Sequence, residues 1–282
     1  MFLLRWFVLF IKPLISRFPR VAAVYRGLRD QLDYMEEPQR TPWGFKLAGN
    51  SEMKQGTFEP AETELVRKLL EEVDVLINVG ANVGYYCCHA LSMEKSVIAF
   101  EPMNRNLRYL CKNIKANGWS GVEILPVALS NSVDVLNIYG ENTGASLVAG
   151  WAGISEGHST LVPSSTMDIM LNTRLQGKRV LILVDIEGAE KRMLDGAGLM
   201  LKSSPKPIWI VEIVTNENQP QDGGVNPYFL STFSTFFDNG YEAFQVDENM
   251  QSVTREDVNL LFRGVKKANT YNYLFRAKET SP

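Results

Sequence analysis

Histidine and cysteine are scarce in this 282-residue chain, with two of the first and three of the second. His89 and His158 form no local cluster for a histidine-rich zinc site, and no nucleophile motif stands ready to complete a triad with either. Cys87, Cys88 and Cys111 make no C-x-x-C pair and leave an odd thiol, which argues against a disulfide framework and for a reducing compartment. A basic surplus is also missing. The net charge is −3 and the pI is near 5.6, so the footprint of a nucleic-acid binder is absent. No apolar run reaches the ~20 residues that cross a bilayer. Low-complexity tracts and internal repeats are lacking too. With 45% hydrophobic residues the chain can bury the core of one large domain.

The N-terminus differs in kind from the rest. "MFLLRWFVLFIKPLISRFPR" is apolar but broken by Arg5 and Lys12, which share a narrow helical face with Ser16. Pro13 kinks or ends such a helix. One reading is an interfacial helix whose Lys12, Arg17 and Arg20 meet anionic headgroups, giving residues 1–20 a peripheral contact on the inner face of a membrane. The other is a helix packed on the body of the protein or on a second subunit. No small-residue cleavage site follows, so the expected location is the cytoplasm. Residues 1–58 read as an extension and residues 59–282 as the main domain.

From residue 60 onward strands and helices alternate. Glu59-Pro60 opens a helix with Leu65, Leu69 and Leu70 on one face. "VDVLINV" is short, continuous and β-branched, the pattern of a buried strand. Residues 84–93 follow as helix and "SVIAFEP" as a second strand. "NLRYLCKNIKANG" carries apolar residues at 107, 110, 111 and 114, which is helical spacing. "GVEILPVAL", "DVLNIYG", "VLILVDI" and "PIWIVEIV" read as strands three to six, with "AEKRMLDGAGLML" as helix between the last two. "YEAFQVD" and "YNYLFRAK" alternate like an antiparallel pair. The fold class is therefore α/β, a doubly wound and mostly parallel sheet with helices on both faces. Residues 215–227 form a polar loop too long for a mere connection.

"VLINVGANVGYYCCHA" places Gly80 and Gly84 directly after a buried strand. The spacing lacks the middle glycine of the dinucleotide fingerprint, the residue that admits a pyrophosphate. Two readings fit: an anion site at the helix N-terminus, or a tight strand-to-helix turn with no ligand. Glu101 ends the next strand, where an acid can accept hydrogen bonds from both hydroxyls of a ribose. Glycine turn and acid together point to a nucleoside whose far end is carboxylate-like, as in S-adenosylmethionine. "VDIEGAEKRML" then sets Asp185, Glu187 and Glu190 at the carboxyl edge of the sheet. Asp185 suits an amino group or an acceptor hydroxyl, and Glu187 suits a general base. Glu190 and Lys191 read as ordinary helix-surface charges. Two carboxylates in sequence are too few to assign Mg²⁺, so no metal is expected.

The ordered set "NVGANVG", "EPMNRNLRYLCKNIKANG", "PVALS", "STMD" and "VDIEGAE" resembles the FkbM-type S-adenosylmethionine-dependent methyltransferases over residues 59–215, with a weaker match in the closing pair of strands. The resemblance implies a seven-stranded, Rossmann-like class I methyltransferase sheet with an antiparallel terminal strand. It implies S-adenosyl-L-methionine as cofactor and methyl transfer to a hydroxyl, often on a sugar or polyketide. Cofactor contacts would fall on Asn78, Gly80, Ala81, Asn82, Gly84, Glu101, Asn106, Ala128, Leu129 and Asp185. Leu110, Asn113, Ser130, Thr166 and Asp168 match further family positions. Catalysis would fall on Glu187 as base, with Asp185, and His89 as a second candidate. The chain departs from the family pattern at Asn78, usually Asp, and at Leu183, often Lys. Those departures favour a non-catalytic cofactor-binding relative as one alternative. A nicotinamide-dependent oxidoreductase is another, opposed by the missing glycine and the lack of a Tyr-x-x-x-Lys motif. Loops 140–160, with Trp151 and His158, and 215–227 are expected to line the site of a small-molecule or glycan acceptor.

Overall fold

The computed structural model describes residues 34–140, 144–157, 159–220 and 224–278; the apolar segment 1–20 and His158 lie outside them. The first strands among the described residues form a two-stranded ladder, β1 (Gln39–Arg40) and β2 (Lys46–Leu47), followed by a short helix α1 (Ser51–Gln55). Helix α2 (Pro60–Glu72) opens on a proline, whose fixed φ suits a first helical position. Alternation follows: β3 (Val75–Val79), α3 (Tyr85–Ser92), β4 (Ser96–Phe100), α4 (Asn104–Ala116) and β5 (Val122–Leu125). Next come β6 (Ala128–Leu129), β7 (Asp134–Tyr139), β8 (Ser159–Ser165) and α5 (Met167–Leu171). The rest runs β9 (Val180–Val184), α6 (Glu190–Leu194), α7 (Gly198–Leu201), β10 (Ile208–Glu212) and α8 (Phe229–Asp238). It ends with β11 (Tyr241–Gln245), β12 (Ser252–Val253), α9 (Arg255–Phe262) and β13 (Asn272–Ala277).

The main sheet has the order β12-β11-β13-β10-β9-β3-β4-β5. Strands β3, β4, β5, β9 and β10 pair in parallel, and β13 runs antiparallel between β10 and β11. This is the expected doubly wound sheet, with the two-residue β12 added at one edge. Side chains alternate across it. Ile77, Val79, Ile182, Val184, Trp209 and Val211 face one helix layer. Leu76, Val97, Ala99, Leu181, Leu183 and Ile210 face the other, with Phe45, Leu47, Ala48 and Met53 packed beside them. Asn113 ties that N-terminal segment down: its Oδ1 accepts the Ala48 N–H at 2.7 Å and its Nδ2 donates to the Ala48 carbonyl at 3.1 Å.

Four sequence expectations are corrected. "GVEILPVAL" is not one strand, because Pro126 has no N–H for the ladder and the Val127 N–H turns back to the Leu125 carbonyl at 2.9 Å. "DVLNIYG" is β7 of a separate sheet of order β6-β8-β7, not a member of the main sheet. Its outward Val135 stays 60% exposed, the mark of a strand with one wet face. "AEKRMLDGAGLML" divides into α6 and α7 rather than one helix, and Gly196 at the break lies against the Ser130 carbonyl. Cys111, placed on the apolar face of α4 by its spacing, is exposed.

Candidate active site

Register builds the site. Asn78 pairs with Leu183, and Leu183 with Ile210, so these three side chains stand abreast on one face. Two residues further on, the same face carries Gly80, Asp185 and Glu212. The ladder continues one step past the named strands, through the Asp185 N–H to the Val79 carbonyl at 3.1 Å. Gly80 therefore lies beside the Asp185 backbone, and a Cβ there would stand 1.9 Å from the Asp185 carbonyl oxygen. Gly84, with φ +85°, would drive a Cβ to 2.3 Å from Leu110 Cδ1. Both glycines are demanded by close packing at a left-handed turn, whatever is bound.

Two cavities open at the carboxyl edge of the sheet, and Gly80, Asn82 and Asp185 line both. The first is a cleft of about 590 Å³, open to solvent, which adds Glu101, Met103, Asn106, Ala128, Leu129 and Glu187. Glu101 is buried at its rim. Its Oε2 accepts the Asn82 N–H at 2.7 Å, and its Oε1 accepts the Met103 N–H at 2.8 Å and Asn106 Nδ2 at 3.3 Å. Burial pushes the carboxyl up, against those hydrogen bonds. Asn82 sits at φ +51° and keeps a buried Oδ1 with no partner. A fixed acid with spare lone pairs and an orphaned acceptor at one rim suit a polyhydroxylated, donor-bearing ligand.

Trp151 is buried, and its indole N–H donates to Glu187 Oε2 at 2.7 Å. It packs on Gly188 so closely that a Cβ there would lie 2.4 Å from the ring. Trp151 is thus a packing anchor that also orients Glu187, whose backbone has φ +54°. Burial raises the Glu187 carboxyl, with the indole hydrogen bond opposing. Asp185 lines both cavities and is exposed through them. Desolvation by the protein packed around the carboxyl, and then Glu212, push it upward. Burial raises Glu212 to about 7 while a hydrogen bond from Asp185 holds it down.

The second cavity, about 550 Å³, adds Phe58, Glu59, Glu62, Asn78, Tyr86, Leu183 and Glu212. Glu62 is buried, and burial, then the charge of Glu59, raise it to about 8 from an ordinary 4.5. Below pH 4.5 both folded and unfolded chains hold that proton. Between 4.5 and 8 the unfolded chain releases it and the folded chain does not, so stability falls as pH rises through this window. Glu62→Gln is therefore expected to raise the thermal midpoint of the ligand-free protein by several degrees at pH 8 and to leave it unchanged at pH 4. Equal midpoints at both pH values would show that Glu62 ionises freely in the folded chain.

Several residues singled out from sequence lie elsewhere. His89 is fully buried among Trp43, Phe45 and Tyr85, faces Arg67 at 3.0 Å, and lines neither cavity. Burial lowers its imidazole to about 3, so it is not placed as a base. Asn78 reaches the floor of the second cavity, where its Nδ2 donates to Cys87 Sγ at 3.5 Å. Glu190 is no surface charge. It is buried, and its Oε1 accepts the Gly188 N–H at 2.9 Å, bracing the loop that carries Glu187. Leu110 packs under Gly84, Thr166 caps α5, and Asp168 accepts the Leu199 N–H at 3.0 Å. Glu59, Glu62 and Glu212 were not singled out. An acid inside the apolar run "PIWIVEIV" was the visible signal for Glu212.

The chain matches the Methyltransferase FkbM domain over residues 78–243, more than half its length. It belongs to the FkbM methyltransferase family. Among curated proteins no match was found. Similar solved structures include precorrin-6y C5,15-methyltransferase from Geobacter metallireducens, with 13% identity, 83% of this chain and 93% of that one covered, and TM-score 0.43. Ribosomal protein L11 methylase from Lactobacillus delbrueckii subsp. bulgaricus gives 8% identity, 77% and 79% coverage and TM-score 0.38. Fibrillarin from Aeropyrum pernix with bound S-adenosyl-L-methionine gives 10%, 75% and 73%, and 0.39. The family uses S-adenosylmethionine, and the first cleft fits it: Glu101 and the orphaned Asn82 oxygen are acceptors suited to its ribose hydroxyls and amino groups. Among the described residues no helix is long and apolar enough to cross a membrane, and no three acidic, imidazole or thiol groups are placed to hold a metal ion.

Proposed function

We propose that this methyltransferase acts on a hydroxyl oxygen, on a sugar or glycan-linked acceptor. The observation that carries the reading is Glu187. It lines the first cleft together with Glu101, and one of its oxygens is fixed by the Trp151 indole N–H. S-adenosylmethionine supplies an electrophilic methyl group on a sulfonium. Glu101 takes the ribose hydroxyls, and Ala128 and Leu129 flank the base. Gly80, Ala81 and Asn82 lie along the connecting chain. Glu187 would receive the acceptor proton as the acceptor oxygen takes the methyl group, and burial, by raising its carboxyl, makes it a stronger base. Asp185, hydrogen-bonded to Glu212, keeps an oxygen that can accept a hydrogen bond from the acceptor hydroxyl and orient it.

The test uses a donor with a trideuterated methyl group and a panel of free and nucleotide-linked sugars. Label in an alkali-stable ether supports the reading. Label on nitrogen, on carbon or in an alkali-labile ester overturns it. Glu187→Gln is expected to lower kcat about 10²–10⁴-fold, the usual contribution of a general base, with donor affinity within twofold. Unchanged turnover would remove Glu187 from the mechanism.

A further inference from the structure

Charge is unevenly shared along this acidic chain. Helix α4 carries Arg105, Arg108, Lys112 and Lys115 and no acid. Residues 1–33 hold six basic residues against two acids. With a net charge of −3 for the whole chain, the remainder is strongly acidic. The four cations of α4 recur at spacings of three and four residues, so they form one stripe along the helix. That stripe is turned away from the buried Asn106, Leu110, Asn113 and Ile114, and Arg108 and Lys115 are exposed.

Tyr34 lies on this stripe. The Arg108 guanidinium stands 4.2 Å and Lys112 Nζ 4.8 Å from the centre of its ring. Lys112 also donates to the carbonyls of Tyr34 and Glu36, the second at 2.6 Å. Ring and carbonyls hold these cations in place but leave their charge uncompensated. Just past the end of α4, Asn117 binds both the N–H and the carbonyl of Lys46, each at 2.7 Å. Lys46 stands directly opposite Arg40 in the β1–β2 ladder, and like charges so placed repel. Among the described residues, no carboxylate forms an ion pair with Arg40, Lys46, Arg108, Lys112 or Lys115. The adjoining Glu36 is taken by Lys54 at 3.0 Å, which leaves Glu37 as the acid of that segment. Met35, next to Tyr34, is 73% exposed.

Cations gathered on one face without counter-charges call for an extended anionic partner. We propose that the outer face of α4, with Arg40 and Lys46 beside its end, docks on an anionic lipid surface. A nucleic acid would also offer phosphates, but the apolar residues favour lipid. Met35 is exposed beside the stripe, and the chain that leads into Tyr34 is rich in Phe, Leu and Trp over residues 1–20. A bilayer accepts both the charge and the apolar side chains. The stripe is a contact of the folded body itself, distinct from any made by residues 1–20. Two weak signals together anchor a protein that either alone would release. Met103 and Asn106, at the start of the same helix, line the first cleft. Because α4 has 13 residues and spans about 20 Å, docking along it holds the cleft within one helix length of the headgroups.

Co-sedimentation of the full chain with vesicles tests the proposal. One set of vesicles is equimolar phosphatidylglycerol and phosphatidylcholine, and the other is phosphatidylcholine alone. Wild type is expected to bind the anionic set and to leave it at about 1 M salt, where the screening length falls to about 3 Å. One basic residue near an anionic surface is worth about fivefold, so Arg108→Gln/Lys115→Gln should weaken the partition by about tenfold or more. The charge-matched pair Lys178→Gln/Lys202→Gln, exposed just before β9 and at the end of α7, should stay within about twofold of wild type. Equal losses from the two pairs would show that net charge acts and this face does not, which overturns the proposal. Binding to neither vesicle, or equally to both, overturns it as well. So does loss of all binding on deletion of residues 1–20 when Arg108→Gln/Lys115→Gln binds like wild type, because that segment then acts alone. A single-stranded oligonucleotide bound more tightly than the anionic vesicles, with the same dependence on Arg108 and Lys115, would assign the face to nucleic acid instead. Should Arg108→Gln disturb Tyr34 and unfold the chain, Lys46→Gln/Lys115→Gln takes its place with the same expectation.

Discussion

Alanine at position 80 is expected to leave little folded protein. Gly80 has φ +82°, where an L side chain costs about 1–2 kcal/mol. The larger penalty comes from the neighbour. The new Cβ would meet the Asp185 carbonyl oxygen at 1.9 Å and its carbonyl carbon at 3.0 Å. These are backbone atoms fixed by the β3–β9 ladder, so relief requires the two strand ends to part. Parting them breaks the Asp185 N–H bond to Val79 at the point where both cavities meet. A loss above about 4 kcal/mol follows, which marks the exceptional end of single substitutions. Gly84→Ala is the internal comparison. Its φ is similar, but its Cβ meets Leu110 Cδ1, the far end of a flexible side chain. Thermal unfolding should place Gly80→Ala at least ~10 °C below wild type, and Gly84→Ala clearly above Gly80→Ala. Equal midpoints for the two variants would show that the strand ends yield freely.

The same register explains what the sequence displays and what it conceals. Strand β3, the turn after it and Glu101 at the end of β4 are local features, readable from apolar runs, glycine and a terminal acid. They stay together in the structure because Asn78 pairs with Ala99 and Val79 with Phe100. The acids of the second cavity have no such local signature. Glu212 meets Asp185 through the β9–β10 pairing, and Glu59 and Glu62 arrive from a helix start that resembles any acidic N-terminus. His89 misled for the opposite reason. An imidazole one helical turn from a glycine loop looks available, but the residues that bury it, Trp43 and Phe45, lie more than forty positions earlier. Glu190 reads as a surface charge until the backbone N–H of Gly188 is seen turned toward it. Thr166 and Asp168 belong to the family pattern, yet their partners are the N–H groups of Ile169 and Leu199, so their task is capping. The side sheet is concealed in the sequence because β8 carries Pro163 and four serine or threonine residues, with no apolar run to announce it.

Loss of Glu101 should cost more ligand affinity than any other single change in the first cleft. Each hydrogen bond from a ribose hydroxyl to a charged, buried acceptor is worth about 1.5–3 kcal/mol, so two are worth a factor on the order of 10²–10⁴. Glu101→Ala is therefore expected to weaken S-adenosylhomocysteine at least a hundredfold by calorimetry. A general loosening of the cleft would also weaken binding, since the substitution strands the N–H groups of Asn82 and Met103. Comparing adenosine with 2′-deoxyadenosine removes that ambiguity. Wild type should prefer adenosine by about tenfold or more, the worth of one such bond, and Glu101→Ala should show no preference. The coupling belongs to the pair formed by the carboxylate and the 2′-hydroxyl, and damage elsewhere in the cleft cancels from it. A variant that binds both nucleosides weakly but keeps the wild-type preference would mean that another group reads the ribose. In that case Asn82, whose buried Oδ1 also faces the ligand space without a partner, is the residue to substitute next.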